Sequence, residues 1–406
     1  MRGDFAQQPA RRSLELCRGH GAPNDRRRHE RDQAGAIKML QYHESLPNGP
    51  HSLPLTNTAA AAEFAGNRPL RDFVISLLAL DVSLAAGGAI HALLRQIPAT
   101  IAAPIILAFL AQASVYLVPL VPSGREWFEA RFNRRKRPFA IVGFSLLPYL
   151  LYAIPTGVFS APGLMQILAL CGFVAFLFVW FPPRRDALCW QDVLILAALA
   201  LPMISDITPM LERIYVSPAP DIDGLERLDF LGKLMLMSLG AATFLSIRGV
   251  EGAGVHLMPT GPEIRTGLRE FAYFVPFGIA ASLATGFLRW SPRAIDGWTY
   301  PFEVLGSVLG IYLTVALAEE MFFRGIIQNL LGKSWGSPLP AQAVAAVLFG
   351  LVHLPRGFPN WRFALLAAIA GWFYGRAYAA RVSIVPAMVT HTLVVVVMRF
   401  GFHRFH

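Results

Sequence analysis

Cysteine is nearly absent from this chain: Cys17, Cys171 and Cys189 are its whole complement in 406 residues. They form no close-spaced pair and no metal-knuckle pattern, which excludes a disulfide framework and a structural zinc site. Charge is also scarce, at 15% of residues against 54% hydrophobic. With a mean hydropathy of +0.47, that balance is too apolar for a soluble protein of this length. Residues 1–66 lack a long apolar run of any kind, so they contain no h-region of a cleaved secretory leader.

What the first 66 residues do contain is Arg11, Arg12, Arg26, Arg27 and Arg28 among Asn, Gln, Pro and His. This is the composition of a disordered basic extension. A net charge of +10 raises the question of nucleic acid. The basic residues, however, sit in that extension and in short loops between apolar runs, as charge that orients membrane helices does, and no nucleic-acid partner is expected.

From about residue 70 the chain reads as eleven apolar segments: 72–90, 97–121, 139–159, 163–182, 191–209, 228–247, 270–288, 302–330, 339–354, 362–380 and 382–400. Most are long enough to cross ~30 Å of hydrocarbon as helices, and 339–354 is short. The fold class is therefore all-α, a polytopic integral membrane protein of ten to eleven transmembrane helices. The loop 122–138 carries Arg125, Arg131, Arg134, Arg135, Lys136 and Arg137, and the next basic loop carries Arg184 and Arg185; both belong on the cytoplasmic side. Asp221, Asp223 and Glu226 then fall outside, and a cytoplasmic N-terminus satisfies the whole alternation. The expected location is the bacterial inner membrane, with lipid as a constant partner.

Inside the segment 302–330 stand Glu319, Glu320 and Arg324. Ionisable groups at membrane depth cost several kcal/mol each and by default mark a functional cavity. On the expected topology, Glu319, His353 and His391 lie about 21, 22 and 15 Å from the cytoplasmic boundary, at ~1.5 Å rise per residue. Three catalytic-type side chains from three helices thus share one level. Hydrolysis of an amide needs a base to activate water and donors for the developing oxyanion. Glu319 fits the base, His353 a group sharing the water, and His391 the oxyanion donor. Glu320 and Arg324, at i and i+4, form an ion pair that makes both tolerable in the membrane.

Other readings stand beside these. Glu320 and Arg324 could serve packing alone, His353 could be interfacial, and His391 could be an interhelical hydrogen-bonding residue without chemistry. Two histidines and a glutamate could also bind zinc with an open position for water. Gly371 and Gly375 read as a close-packing face flanked by Trp372 and Tyr374 as filler. Asp81, Asp192, Asp206 and Lys233 read as interfacial or packing residues, buried Cys171 as inert, and His403 and His406 as solvent-exposed.

The motifs Glu319-Glu320-x-x-x-Arg324, Phe349-Gly350-Leu351-Val352-His353 and Gly371-Trp372-Phe373-Tyr374-Gly375, followed by Pro386 and His391, resemble the CAAX-protease and bacteriocin-processing family of intramembrane proteases. The similarity covers about the last 140 residues and divides the chain into a basic extension (1–66), N-terminal helices of unassigned role (67–260) and a CAAX-protease-like helical core (261–402). It implies an endopeptidase in which Glu319 and His353 activate water and His391 stabilises the oxyanion. The substrate it implies is a peptide or protein tail, membrane-associated and in some members lipidated. No cofactor is expected, zinc being the less favoured alternative. The family's last motif is usually His-x-x-x-Asn, and here Val395 stands where the asparagine would be; it cannot donate a hydrogen bond. Two further functions follow from that departure and from the titratable cluster: a catalytically silent binding or immunity-type membrane protein, and a proton-coupled carrier.

Overall fold

The computed structural model describes residues 58–203, 208–222, 225–292, 297, 300–355 and 360–404. Most of the basic extension, together with Asp206, Asp223 and His406, lies outside the described residues. Thirteen helices carry almost the whole described chain: α1 (Thr58–Leu94), α2 (Ala99–Leu120), α3 (Pro122–Arg131), α4 (Arg137–Ala153), α5 (Ala161–Trp180), α6 (Trp190–Ala200), α7 (Met210–Ile214), α8 (Asp229–Arg248), α9 (Gly261–Thr285), α10 (Tyr300–Trp335), α11 (Pro338–Leu351), α12 (Trp361–Ala379) and α13 (Ile384–Gly401). Every apolar segment of the sequence falls on one of them. Six are long and apolar enough to cross a membrane. Three further apolar helices, among them α11, are shorter.

Two expectations need correction. Helix α1 begins at Thr58, inside the segment assigned to the basic extension, because Ala59–Ala62 is a run of the strongest helix former. The basic stretch 122–138, read as a loop, holds α3, which starts with Pro122 in its first turn, where proline's fixed φ favours a helix. Arg137 then reaches back to the carbonyl oxygens of Phe132 at 3.0 Å and Glu129 at 3.2 Å, satisfying acceptors that the end of α3 leaves open. Among the described residues the all-α architecture has one local exception, a short antiparallel pair of β1 (Leu288–Trp290) and β2 (Phe402–Arg404).

Helix ends follow the sequence. Ser160, Asn360 and Ser383 accept backbone N–H groups at the starts of α5, α12 and α13, while Gly286 and Gly336 end α9 and α10 in the left-handed conformation that glycine adopts without strain. Helix α8 is the core of the N-terminal part, with 89% of its apolar window buried against α2, α4, α5 and α6. The C-terminal part is a bundle of α9 to α13. The two parts meet where Gly240 of α8, lacking a side chain, makes room for the ring of Phe322 of α10.

The segments that alternation of spans would place on one side do meet. Lys333 pairs with Asp186 and donates to Glu251 O, Leu188 N–H reaches Ser334 Oγ at 2.9 Å, Arg137 donates to Ser246 O at 2.8 Å, and Ile384 N–H donates to Gly254 O at 3.0 Å. The β1–β2 pair and the bond from Ser291 N–H to Gly401 O, at 3.1 Å, lie at the other ends of their helices.

Candidate active site

In the middle of helix α10 the regular winding is confined to the single turn Leu317–Glu320. On both sides, at Ile311–Ala316 and Met321–Gln328, it opens into π turns. Such i→i+5 segments are rare and concentrate at functional positions, because the looser turn re-aims side chains that a regular helix would stack. Glu319 and Glu320 occupy the regular turn between the two openings.

Glu320 and Arg324 are both fully buried, and Arg324 Nη1 lies 3.1 Å from Glu320 Oε2. The expected ion pair is there. Around the guanidinium the chain supplies further support: Nη2 donates to Gly371 O at 2.9 Å, and the ring centroids of Phe349 and Tyr374 lie 4.7 and 5.2 Å from Cζ, close enough for cation–π attraction. A buried charge survives when it is paired and hydrogen-bonded; the ion pair and the Nη2 bond supply both, although Arg324 Nε and Nη1 and Glu320 Oε2 have no hydrogen-bond partner among the described residues. Glycine at 371 suits this approach, since a Cβ would stand 3.2 Å from Phe349 Cδ1 and 3.3 Å from both Ala346 Cα and Arg324 Nη2, so that these neighbours would have to give way by a few tenths of an ångström. The close-packing reading of Gly371 and Gly375 therefore describes what they do, with Gln328 Nε2 donating to Gly375 O at 3.1 Å.

His391, on α13, places Nδ1 2.7 Å from Glu320 Oε1. Its Nε2 lies 3.8 Å from Glu319 Oε2, too far for a direct hydrogen bond and within the span of a single water bridging the two. A carboxylate can only accept, so Nδ1 carries a proton and Nε2 is the nitrogen that faces Glu319. Tyr374, read from the sequence as filler, stacks on the imidazole with a centroid separation of 4.7 Å and an interplanar angle of 12°. Its position, three residues after Gly371 in the same motif, was the only signal of that role.

His353 is buried just beyond the C-terminus of α11, not within the span as its spacing suggested. Pro355 follows two residues later, and the residue before a proline is disfavoured in helix. Its Nδ1 donates to Phe349 O at 2.7 Å, which again makes Nε2 the basic nitrogen of the neutral ring. The ring packs against Phe349 and Phe363 at 4.9 Å each, and Phe349 in turn meets the His391 ring at 5.8 Å. Phe349 is thus the residue that ties both histidines and Arg324 into one cluster.

Asp192, Lys233 and Asp81, in the N-terminal apolar runs, have structural partners. Asp192 accepts from Cys189 N–H at 2.8 Å and pairs with Arg248 at 3.2 Å. Lys233 pairs with Asp229 at 2.7 Å, and Ser114 donates to Asp81 at 3.3 Å. Cys171 is buried against Met235.

A groove of about 590 Å³ opens along α10, lined by Glu303, Ser307, Gly310, Thr314 and Val315, with Arg399 of α13 on its other wall. From Glu303 to Thr314 those α10 positions recur every three or four residues.

Residues 301–397 match the sequence family described as Type II CAAX prenyl endopeptidase Rce1-like. The matched segment holds Glu319, Glu320, Arg324, His353 and His391 together, in agreement with the resemblance read from the motifs. No curated protein and no solved structure gives a significant match.

Proposed function

We propose that this integral membrane protein is an intramembrane endopeptidase of the CAAX-protease type, and that Glu319 activates the hydrolytic water. The observation that carries the reading is the pairing of Glu319 Oε2 with His391 Nε2 at 3.8 Å, beside a fixed second layer of Glu320, Arg324 and Tyr374. Endopeptidase activity agrees with the family match over residues 301–397. Substrate, mechanism and residue roles are our inference.

In the proposed reaction, Glu319 takes a proton from a water held between it and the histidines, the oxygen attacks the amide carbon, and the proton passes to the departing amine. His353, with its basic Nε2, shares the water. His391 stabilises the oxyanion, which requires a proton on Nε2 as well as on Nδ1; the carboxylate of Glu320 at 2.7 Å compensates the positive charge of that doubly protonated ring. Glu320 and Arg324 are positioning residues. They hold the imidazole at one orientation, as an orienting carboxylate does in other hydrolytic sites.

The groove beside Ser307, Thr314 and Arg399 runs along the helix that carries Glu319, which supports a peptide tail of a membrane-associated protein as substrate. A lipidated tail is the family-level version of that substrate. A glutamate-activated water is favoured over zinc because, among the described residues, no three His, Cys, Asp or Glu side chains are placed to share a metal ion. The basic loops support a cytoplasmic N-terminal side of the first span, and the membrane proposed is a bacterial inner membrane. Val395, half-buried one turn beyond His391, supports a second reading, a member of the family that binds without cleaving.

The test is cleavage of a library of membrane-anchored peptides by purified protein, followed by mass spectrometry. Wild type should release defined fragments, Glu319→Gln should release none, and a strong chelator should leave wild type active. Loss with the chelator and restoration by zinc would overturn the mechanism.

A further inference from the structure

The second large groove of the molecule lies away from the glutamate cluster, between α9 and α12, with a volume of about 660 Å³. Its walls are Tyr273, Pro276 and Phe277 from α9 and Ile369, Trp372 and Phe373 from α12, and Arg376 closes one end. Tyr273 and Phe277 are about half exposed. In a membrane-spanning bundle such aromatic surface faces lipid tails.

The charged end is unbalanced. Arg376 Nε lies 3.1 Å from Glu270 Oε2, and Arg269 Nη2 lies 3.1 Å from Glu270 Oε1. One buried carboxylate thus serves two exposed guanidinium groups, leaving one unit of positive charge at the mouth. Arg376 is further held over the faces of Tyr273 and Phe373, at 5.5 and 5.7 Å, so its side chain is fixed rather than swept through water. Arg265 and Arg381 are exposed near the same helix ends, and Arg381 Nε contacts Thr266 Oγ1 at 3.3 Å. This end belongs to the face that carries Lys333 and the basic α3 region. On the topology argued above that face is cytoplasmic, the side where anionic lipid concentrates.

An apolar slot open to hydrocarbon, ending in fixed positive charge at headgroup level, matches one kind of ligand. We infer that the α9–α12 groove is a binding site for an anionic phospholipid, with an acyl chain along Phe277, Ile369 and Phe373 and the phosphate at Arg376 and Arg269. The inference is independent of catalysis by Glu319. It gives α12 a role on both faces: the other face supplies Gly371 O to Arg324.

Full-length protein purified in mild detergent, incubated with a mixture of phosphatidylglycerol and phosphatidylcholine, tests it by native mass spectrometry. We expect one tightly retained phosphatidylglycerol per chain and at least tenfold weaker retention of phosphatidylcholine. Removing Arg376 alone leaves Glu270 paired with Arg269 and one guanidinium at the mouth, so the informative variant is Arg269→Gln/Glu270→Gln/Arg376→Gln, which removes both and drops the excess charge without orphaning a carboxylate. It should lose at least tenfold in phosphatidylglycerol retention. Phe277→Ala, on the lipid-facing wall, should weaken both lipids while leaving thermal unfolding unchanged. Equal retention of the two lipids by wild type, or undiminished phosphatidylglycerol on the folded triple variant, overturns the proposal.

Discussion

His391 donates Nδ1–H to Glu320 Oε1 at 2.7 Å, across 71 residues of sequence. The bond fixes which imidazole nitrogen faces Glu319 and joins α13 to α10 at the level of the buried charges. Replacing the acceptor by an amide keeps the shape and removes the charge. Glu320→Gln should lower kcat/KM by roughly 10- to 100-fold, the usual effect of losing an orienting carboxylate, and should displace the pH profile. A structural role alone would lower the amount of folded enzyme and leave the profile of the remainder in place.

Arg324 is buried with Glu320 on the same helix, at 3.1 Å. Arg324→Met strands that carboxylate and should cost about 3–5 kcal/mol in unfolding free energy. The double variant Glu320→Leu/Arg324→Met should be markedly less destabilised than Arg324→Met alone, because no unpaired buried charge remains. Thermal or denaturant unfolding in detergent measures both; equal losses for the two variants would refute the buried-pair assignment.

Gly371 lies so close to Arg324, Phe349 and Ala346 that a methyl group would push on all three. Gly371→Ala should destabilise by about 1–3 kcal/mol, the ordinary cost of overpacking, and reduce cleavage by moving the carbonyl that holds Arg324. Unfolding curves and turnover of the same preparation check the two effects together.

Outside the spans, Glu263 caps α9. Burial raises its carboxyl pKa, but donors from Ser383 at 2.6 Å and from Thr260 N–H and Oγ1, together with neighbouring His256, outweigh burial and hold it below the usual carboxylate range. A folded-state pKa below the unfolded one stabilises above the unfolded value, near pH 4.3, and that contribution disappears as pH falls through the folded value. Glu263→Gln should therefore be less stable than wild type at pH 7, by roughly 1.5–3 kcal/mol, and the gap should close below about pH 4. A gap constant from pH 7 to pH 3 would contradict the carboxylate's role.

Much of this was legible in the residues. Apolar run length locates helices because hydrocarbon leaves the backbone no other way to satisfy itself, and i, i+4 spacing was enough to pair Glu320 with Arg324. What stayed hidden depends on tertiary packing. The π turns of α10 are a slip in hydrogen-bond register that no local residue dictates, and they decide where Glu319 points. The His391–Glu320 bond and the stacking of Tyr374 join residues distant in sequence, so neither has a spacing to read. His353 was placed inside its span because the apolar run continues to Leu354, while Pro355 stops the helix earlier.

The most direct measurement of the central claim is the fate of water oxygen. Purified protein, turning over a membrane-anchored peptide in H₂¹⁸O, should place one ¹⁸O in the newly formed carboxyl group of the product, and Glu319→Gln, folded to the same extent, should form no labelled product above background. Labelled product at the wild-type rate from Glu319→Gln would contradict the account.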